Sequence, residues 1–195
     1  MTFNTIFKGF MLLAAVGAAL APAAAGAETV YQTPRGLLAE FFPHSEAVKF
    51  QRYPISAELR GRLARRLGYA PAREGYVFYV ATTGGHVDGY ALIDDEVGQT
   101  EPITFGVKLS PEGTVERAEV MVYREPRGDE VRSQRFLDQL RGKSLHQAVR
   151  VGVDIDAVTG ATISSQSLAT GVRRALVLFD ELVVRSRGTA RADAR

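Results

Sequence analysis

The stretch "ITFGVKLSPEGTVERAEVMVY" (residues 103–123) decides how the chain folds. Ile103, Phe105, Val107 and Leu109 alternate with Thr104, Gly106, Lys108 and Ser110. Pro111, Glu112 and Gly113 then turn the chain, and the return run sets Ala118, Val120 and Val122 against Glu119, Met121 and Tyr123. Successive strand side chains point to opposite faces, so strict period-two alternation around a Pro-x-Gly turn predicts an antiparallel hairpin with one buried and one wet face.

Outward from this hairpin, the upstream texture is again strand-like. "YVFYV" (76–80) and "GYALI" (89–93) flank Gly84 and Gly85, a second hairpin signal. Before it, Pro34 and the run Leu37 to Phe42 predict a short helix stopped by Pro43. Ser56 reads as the N-cap of a helix over Ala57 to Leu67, with Leu59, Leu63 and Leu67 on one face and Gly68 as the stop. Downstream, "REPRGDE" (124–130) reads as a loop and Val131 to Leu140 as a polar helix. Leu168, Val172, Ala175, Leu176, Phe179, Leu182 and Val183 recur at three- and four-residue steps, the stripe of a long amphipathic helix. Strands and helices without a repeated βαβ rhythm predict an α+β fold, an antiparallel β-sheet packed with helices.

The N-terminus is of another kind. Lys8, an apolar run from Gly9 to Ala21 and the small residues Ala25-Gly26-Ala27 have the layout of a secretory signal peptide over 1–27. An uncleaved anchor is the competing reading, although the run is shorter than the roughly 20 residues a spanning helix needs. The expected location is periplasmic or extracytoplasmic, with membrane association open. Residues 28–98 read as an N-terminal layer of helices and hairpin, 99–185 as the principal domain, and 186–195 as a flexible basic tail.

Composition removes several functions. Lys and Arg total 24 against 22 acids, so no basic surface points to nucleic acid. The absence of cysteine excludes disulfides, thiolate-held iron–sulfur clusters, c-type haem and lipobox lipidation. The three histidines, His44, His86 and His146, have no metal-ligand spacing. No nucleophile elbow or P-loop occurs, and no catalytic residue or metal ligand is expected. Any chemistry must come from a cofactor.

The run "DAVTGATISSQSL" (156–168) is where a cofactor could sit. Gly160 and Ala161 allow close approach, and Thr162, Ser164 and Ser165 fall where the long helix begins, with unpaired N–H groups and a positive dipole end. Such a terminus suits a phosphate; ordinary Ser/Thr capping explains part of the same pattern. Asp156-Ala157-Val158-Thr159-Gly160-Ala161-Thr162 resembles the D-x-x-[ST]-G-A-[ST] signature of the FMN-binding domain family, whose best-known members are flavin-carrying subunits of the sodium-pumping NADH:quinone reductase and of the related ferredoxin-linked complex. The segment 100–185 resembles that family more loosely.

The resemblance implies FMN joined through its phosphate, as a phosphodiester, to the hydroxyl of Thr162 by an FAD:protein FMN transferase. Asp156, Thr159, Gly160 and Ala161 would frame the attachment, with Ser164 at a position where relatives carry a further Ser or Thr. Where the quinone-reductase type has Glu-Thr-Pro-Gly-Leu-Gly near the flavin ring, this chain has Glu125-Pro126-Arg127-Gly128-Asp129-Glu130, so only Glu125 and Gly128 carry over. Tyr123 either stacks on the ring or packs in the core. The function implied is that of an exported electron carrier working between a membrane-bound redox protein and a partner, rather than a stand-alone enzyme. A flavin-free binding or scaffold module and a flavin reductase acting on a small acceptor stay open.

Overall fold

The alternation of the 103–123 hairpin places it at the heart of a six-stranded antiparallel sheet. The computed structural model describes residues 28–186; residues 1–27, read from the sequence as a signal peptide, and residues 187–195, within the stretch read as a basic tail, lie outside them. The strands are β1 (Thr29–Val30), β2 (Ala47–Pro54), β3 (Gly75–Thr83), β4 (His86–Val97), β5 (Pro102–Leu109) and β6 (Val115–Tyr123), in the order β1-β6-β5-β4-β3-β2. The β3–β4 turn puts Gly84 and Gly85 at φ 55° and 80°, the positive values a two-residue hairpin loop requires.

Helices cover both faces. On one lies α4 (Thr162–Phe179), extended by a π-helical turn over Asp180–Val184, with α2 (Ala57–Leu67) against it. On the other lies α1 (Pro34–Phe41), opened by Thr33, whose Oγ1 accepts the Gly36 N–H at 3.1 Å. The Ser56 cap and Gly68 stop of α2 form as the sequence indicates: Ser56 Oγ accepts the Leu59 N–H at 3.2 Å and Gly68 adopts φ 84°.

The main core lies between the sheet and α4. Ile103, Phe105, Val107 and Leu109 are all fully buried there, with Phe78, Tyr90 and Leu92 from the neighbouring strands. Phe179 packs edge-on to Tyr90 and Phe78, with ring centroids at 4.9 Å and 5.9 Å. At Gly171, α4 passes so close to β5 that an added Cβ would sit 2.5 Å from the Phe105 ring. Gly171→Ala is therefore expected to cost about 1–3 kcal/mol through overpacking, read as a lowered urea midpoint at unchanged slope.

Four expectations need correction. The second face of the β5–β6 hairpin is not simply wet: Leu37 and Phe41 of α1 form a smaller core with Ala81, Ala91 and Met121 on that side. Gly106 makes room for Leu37, whose Cδ2 would lie 2.3 Å from a Cβ there. The alternation of β6 breaks at a bulge, because Thr104 pairs with Val122 but Phe105 with Val120. The extra residue, Met121, shifts the phase, so Val122 turns to the α1 side and Tyr123 to the α4 side.

The polar helix over Val131 to Leu140 is broken into a 3-10 turn (Asp129–Arg132), the single turn α3 (Gln134–Leu137) and a second 3-10 turn (Asp138–Leu140). Ser133, at ψ 137°, interrupts it so that Val131, Phe136 and Leu140 can all plug the core. Finally, the predicted stripe of α4 is buried but wider than expected: Ile163, Gln166 and Thr170 stay exposed, whereas every residue from Arg174 to Phe179 is buried. Strands β1 and β2 carry no alternating signal; both are sheet edges held by backbone pairing, β2 over eight pairs from Ala47–Thr82 to Pro54–Gly75.

Charge also crosses this core. Arg174 of α4 reaches Asp94 and Glu96 on β4, and Arg62 and Arg66 of α2 clamp Glu181 beyond the end of α4 at 3.1 Å and 2.9 Å. Among the described residues no helix is long and apolar enough to cross a membrane.

Candidate functional site

Thr162 is the first residue of α4, with an exposed side chain and Ala161 at the N-cap. Val158 to Ala161 form the turn before it: Ala161 N–H donates to Val158 O at 3.0 Å, and Gly160 sits at φ 83°. A tight turn with positive φ at its third residue calls for glycine. Nothing lies within 4 Å of where a Gly160 Cβ would be, so the glycine is there for its backbone and leaves open space above the turn.

The following hydroxyls divide their labour. Ser165, fully buried, donates to Ala161 O at 2.8 Å and accepts the Val158 N–H at 3.1 Å, stapling the turn to the helix. Ser164, also buried, lies 2.7 Å from the Tyr123 hydroxyl. Tyr123 has one proton and gives it to Arg127 O at 2.6 Å, so Ser164 must donate to Tyr123. These two serines are therefore engaged within the protein, whereas the Thr162 hydroxyl has no partner among the described residues. The amides of Thr162, Ile163 and Ser164 are first-turn donors that the helix itself cannot satisfy.

The rest of the motif is held from outside. The Gln139 side chain clamps the backbone of Asp156, accepting its N–H at 2.8 Å and donating to its carbonyl at 3.2 Å. Asp156, Thr159 and Gly160 are exposed, and Ala161 is buried. Ser133, Arg135, Phe136 and Gln139 face residues 156–159 across a cleft of about 460 Å³. Gln139 and Arg135 were not singled out in the sequence, where each is an ordinary polar residue; only the fold brings them to the motif.

Gly128 and Glu125 sit on the neighbouring loop. Gly128 adopts φ 96°, and a Cβ there would fall 2.5 Å from the Tyr123 hydroxyl and 2.6 Å from Ser164 Oγ. It thus lets the loop close against the first turn of α4. Glu125 turns its Oε1 to the N–H groups of Thr100 and Glu101 at 2.7 Å and 3.1 Å, holding the β4–β5 loop. Tyr123 is 2% exposed and belongs to the core. Burial raises its phenol above the ordinary value, against the lowering effect of the Ser164 hydrogen bond, so it stays neutral at working pH. Gly128→Ala is expected to lower stability by about 1–3 kcal/mol through backbone strain and the broken latch. Faster amide exchange at Val131, whose N–H donates to Gly128 O at 3.3 Å, would register the latch specifically.

A second device fixes the approach to the motif. Asp154 accepts the N–H groups of Val149 at 3.1 Å and Arg150 at 2.8 Å, and pairs with Lys143 at 3.1 Å. Burial by itself would raise this carboxyl. The Arg150 amide, the Lys143 ammonium and the Val149 amide outweigh burial and hold it below the ordinary range. A depressed folded value stabilises above the unfolded value of about 3.9 and is lost as pH falls through the folded one. Faster hydrogen exchange at Val149 and Arg150 is therefore expected only below about pH 4.

The geometry fits a phosphate ester at Thr162. The hydroxyl is free, three neutral N–H donors and the dipole's positive end surround it, and the preceding side chains are small. No cluster of His, Asp and Glu among the described residues could hold a metal ion. Residues 98–177 match the FMN-binding domain family. Among solved structures, the crystal structure of Shewanella oneidensis NqrC is similar, at 17% sequence identity and a TM-score of 0.47, covering 69% of this chain and 79% of that one. No curated protein matches. From the loop that enters β5 to the last turn of α4, residues 98–177, this chain is similar to the FMN-binding domain family.

Proposed function

We propose that this protein is an exported electron carrier whose FMN is held by a phosphodiester at Thr162, installed by an FAD:protein FMN transferase. The observation that carries the reading is the Thr162 hydroxyl: exposed, unpartnered and set among first-turn amides, inside a segment that matches an FMN-binding domain. When bound, the flavin supplies one- or two-electron chemistry, which no side chain of this sequence offers.

The chain's own residues then hold and present it. The amides of Thr162, Ile163 and Ser164 stabilise the negative charge that a phosphodiester retains, by about 0.3–1 kcal/mol. Ser165 and Gln139 fix the turn that aims the Thr162 hydroxyl outward, and the Tyr123–Ser164–Gly128 latch keeps the 124–130 loop against that helix end. A covalent link suits a protein working outside the cytoplasmic membrane, because cofactor that dissociates there is diluted away. The electrons pass between a membrane-bound redox protein and a second partner.

The test is expression of the full-length gene beside a flavin transferase, followed by a denaturing gel viewed under ultraviolet light and by intact mass. A fluorescent band, with the mass of one FMN less one water added to a chain beginning at Glu28, is the expected result. A dark band of correct mass from a folded, exported chain would overturn the covalent reading and leave a flavin-free scaffold. Steady turnover with a soluble donor and acceptor alone would replace the carrier with a reductase.

A further inference from the structure

A second cavity, of about 520 Å³, opens on the back of α4, away from the cleft beside the motif. Its wall combines three things. Leu67 at the end of α2, Val149 and Val151 in the loop, and Ala169 on α4 form an apolar patch, beside the polar side chains of Gln166 and Thr170. The rim carries Arg150 and Arg173, and no carboxylate lines the cavity. The third element is strain: Val149 has φ 47°, the one non-glycine residue with positive φ among those described. A β-branched side chain is poorly tolerated there, and such outliers persist where the surroundings impose them.

The surroundings do impose it. The Val149 and Arg150 amides are both bound by the Asp154 carboxylate, which Lys143 anchors in turn. Arg173 is pre-set from the other side: its Nη1 donates to Ala148 O at 2.9 Å, which fixes the guanidinium and leaves Nε and Nη2 to the cavity. Neither arginine has a carboxylate within ion-pair distance among the described residues, whereas Arg62, Arg66, Arg73 and Arg174 are all paired. A planar guanidinium is built to take an oxyanion through two parallel N–H bonds.

We propose that this cavity binds a small organic anion, a carboxylate or phosphate carried on an apolar body, with Arg150 and Arg173 on the oxyanion and the apolar patch against the body. Pockets of this size that pair an apolar floor with a few convergent polar groups are the usual form of small-molecule sites. The site does not depend on the flavin at Thr162.

Amide shifts of the isotopically labelled full chain, titrated with benzoate, phenyl phosphate or uncharged benzyl alcohol, test it. Saturable shifts at Val151, Ala169 and Thr170 are expected with an anion and not with the alcohol, and the tighter of the two anions identifies the head group. Arg150→Gln, which removes no hydrogen bond within the protein, is expected to weaken binding about tenfold, as losing one charge-assisted bond does. Arg173→Gln gives the second reading, with the Val149 amide position reporting whether the loop has stayed. Equal shifts with benzyl alcohol, no saturation with either anion, or unchanged affinity in Arg150→Gln would each overturn the proposal. The flavin-free Thr162→Ala chain is expected to bind the anion equally well; failure there would instead assign the cavity to the flavin.

Discussion

Thr162→Ala is expected to remove all covalently held flavin while leaving the fold intact. The side chain is exposed, its hydroxyl has no partner among the described residues, and it occupies the first position of an 18-residue helix whose stability comes from burial further along. Alanine is at least as good a helix former, and such surface changes usually fall within about 0.5 kcal/mol. The mass increment and the fluorescent band should therefore vanish together while the urea midpoint stays put. Thr162→Ser keeps a hydroxyl at the same place and is expected to retain flavin. Ser164→Ala separates the two kinds of hydroxyl: its loss breaks the bond to Tyr123 and should lower stability with the covalent flavin still present. If Thr162→Ala kept its bound flavin after denaturation, the attachment would lie elsewhere.

The largest expected loss of stability comes from the opposite end of the same helix. Arg174 is 8% exposed and makes four hydrogen bonds through all three of its nitrogens. Nε and Nη2 meet Asp94 Oδ2 at 3.0 Å and 2.9 Å, Nη2 also meets Asp95 O at 2.7 Å, and Nη1 serves the Tyr69 hydroxyl at 3.2 Å and Glu96. Burial alone would lower its pKa; Asp94, the Tyr69 hydrogen bond and Glu96 outweigh that and hold it raised, so the cation persists at any working pH. Arg174→Met leaves Asp94, 3% exposed, with only Arg73 at 2.6 Å on its other oxygen.

Breaking a buried pair in this way costs about 3–5 kcal/mol, because the abandoned carboxylate remains in a medium that solvates it poorly. Denaturant unfolding at neutral pH measures it. The double change Arg174→Met with Asp94→Asn is expected to recover much of the loss, since the uncompensated charge is gone. Equal destabilisation in the single and double variants would mean that shape, not charge, is what Arg174 supplies. Lysine cannot substitute, having three donors on a point charge where four acceptors surround a plane.

How far the chain could be read in advance follows from which forces are local. The 103–109 alternation, the Gly84-Gly85 turn and the Ser56 and Gly68 boundaries of α2 all formed as read, because each is set by a few neighbouring residues. Tyr123 was not legible to the same degree: one bulge residue, Met121, reverses the face of everything after it, and bulges are chosen by the partner strand. Strands β1 and β2 left no pattern because an edge strand is defined by its neighbour's unpaired backbone, not by its own side chains.

The same division runs through the site. The sequence by itself determined that a small-residue turn opens the last helix and that the helix begins within Thr162 to Ser165, since turn and helix-start chemistry are local. Only the tertiary structure decided that the Ser164 hydroxyl is spent, on Tyr123 from 41 residues away. It also brought Gln139 to Asp156, Arg174 to Asp94, and Arg150 beside Arg173. Hydrogen bonds and charge pairs at such separations depend on where the sheet delivers each chain segment, and no short stretch of sequence carries that information.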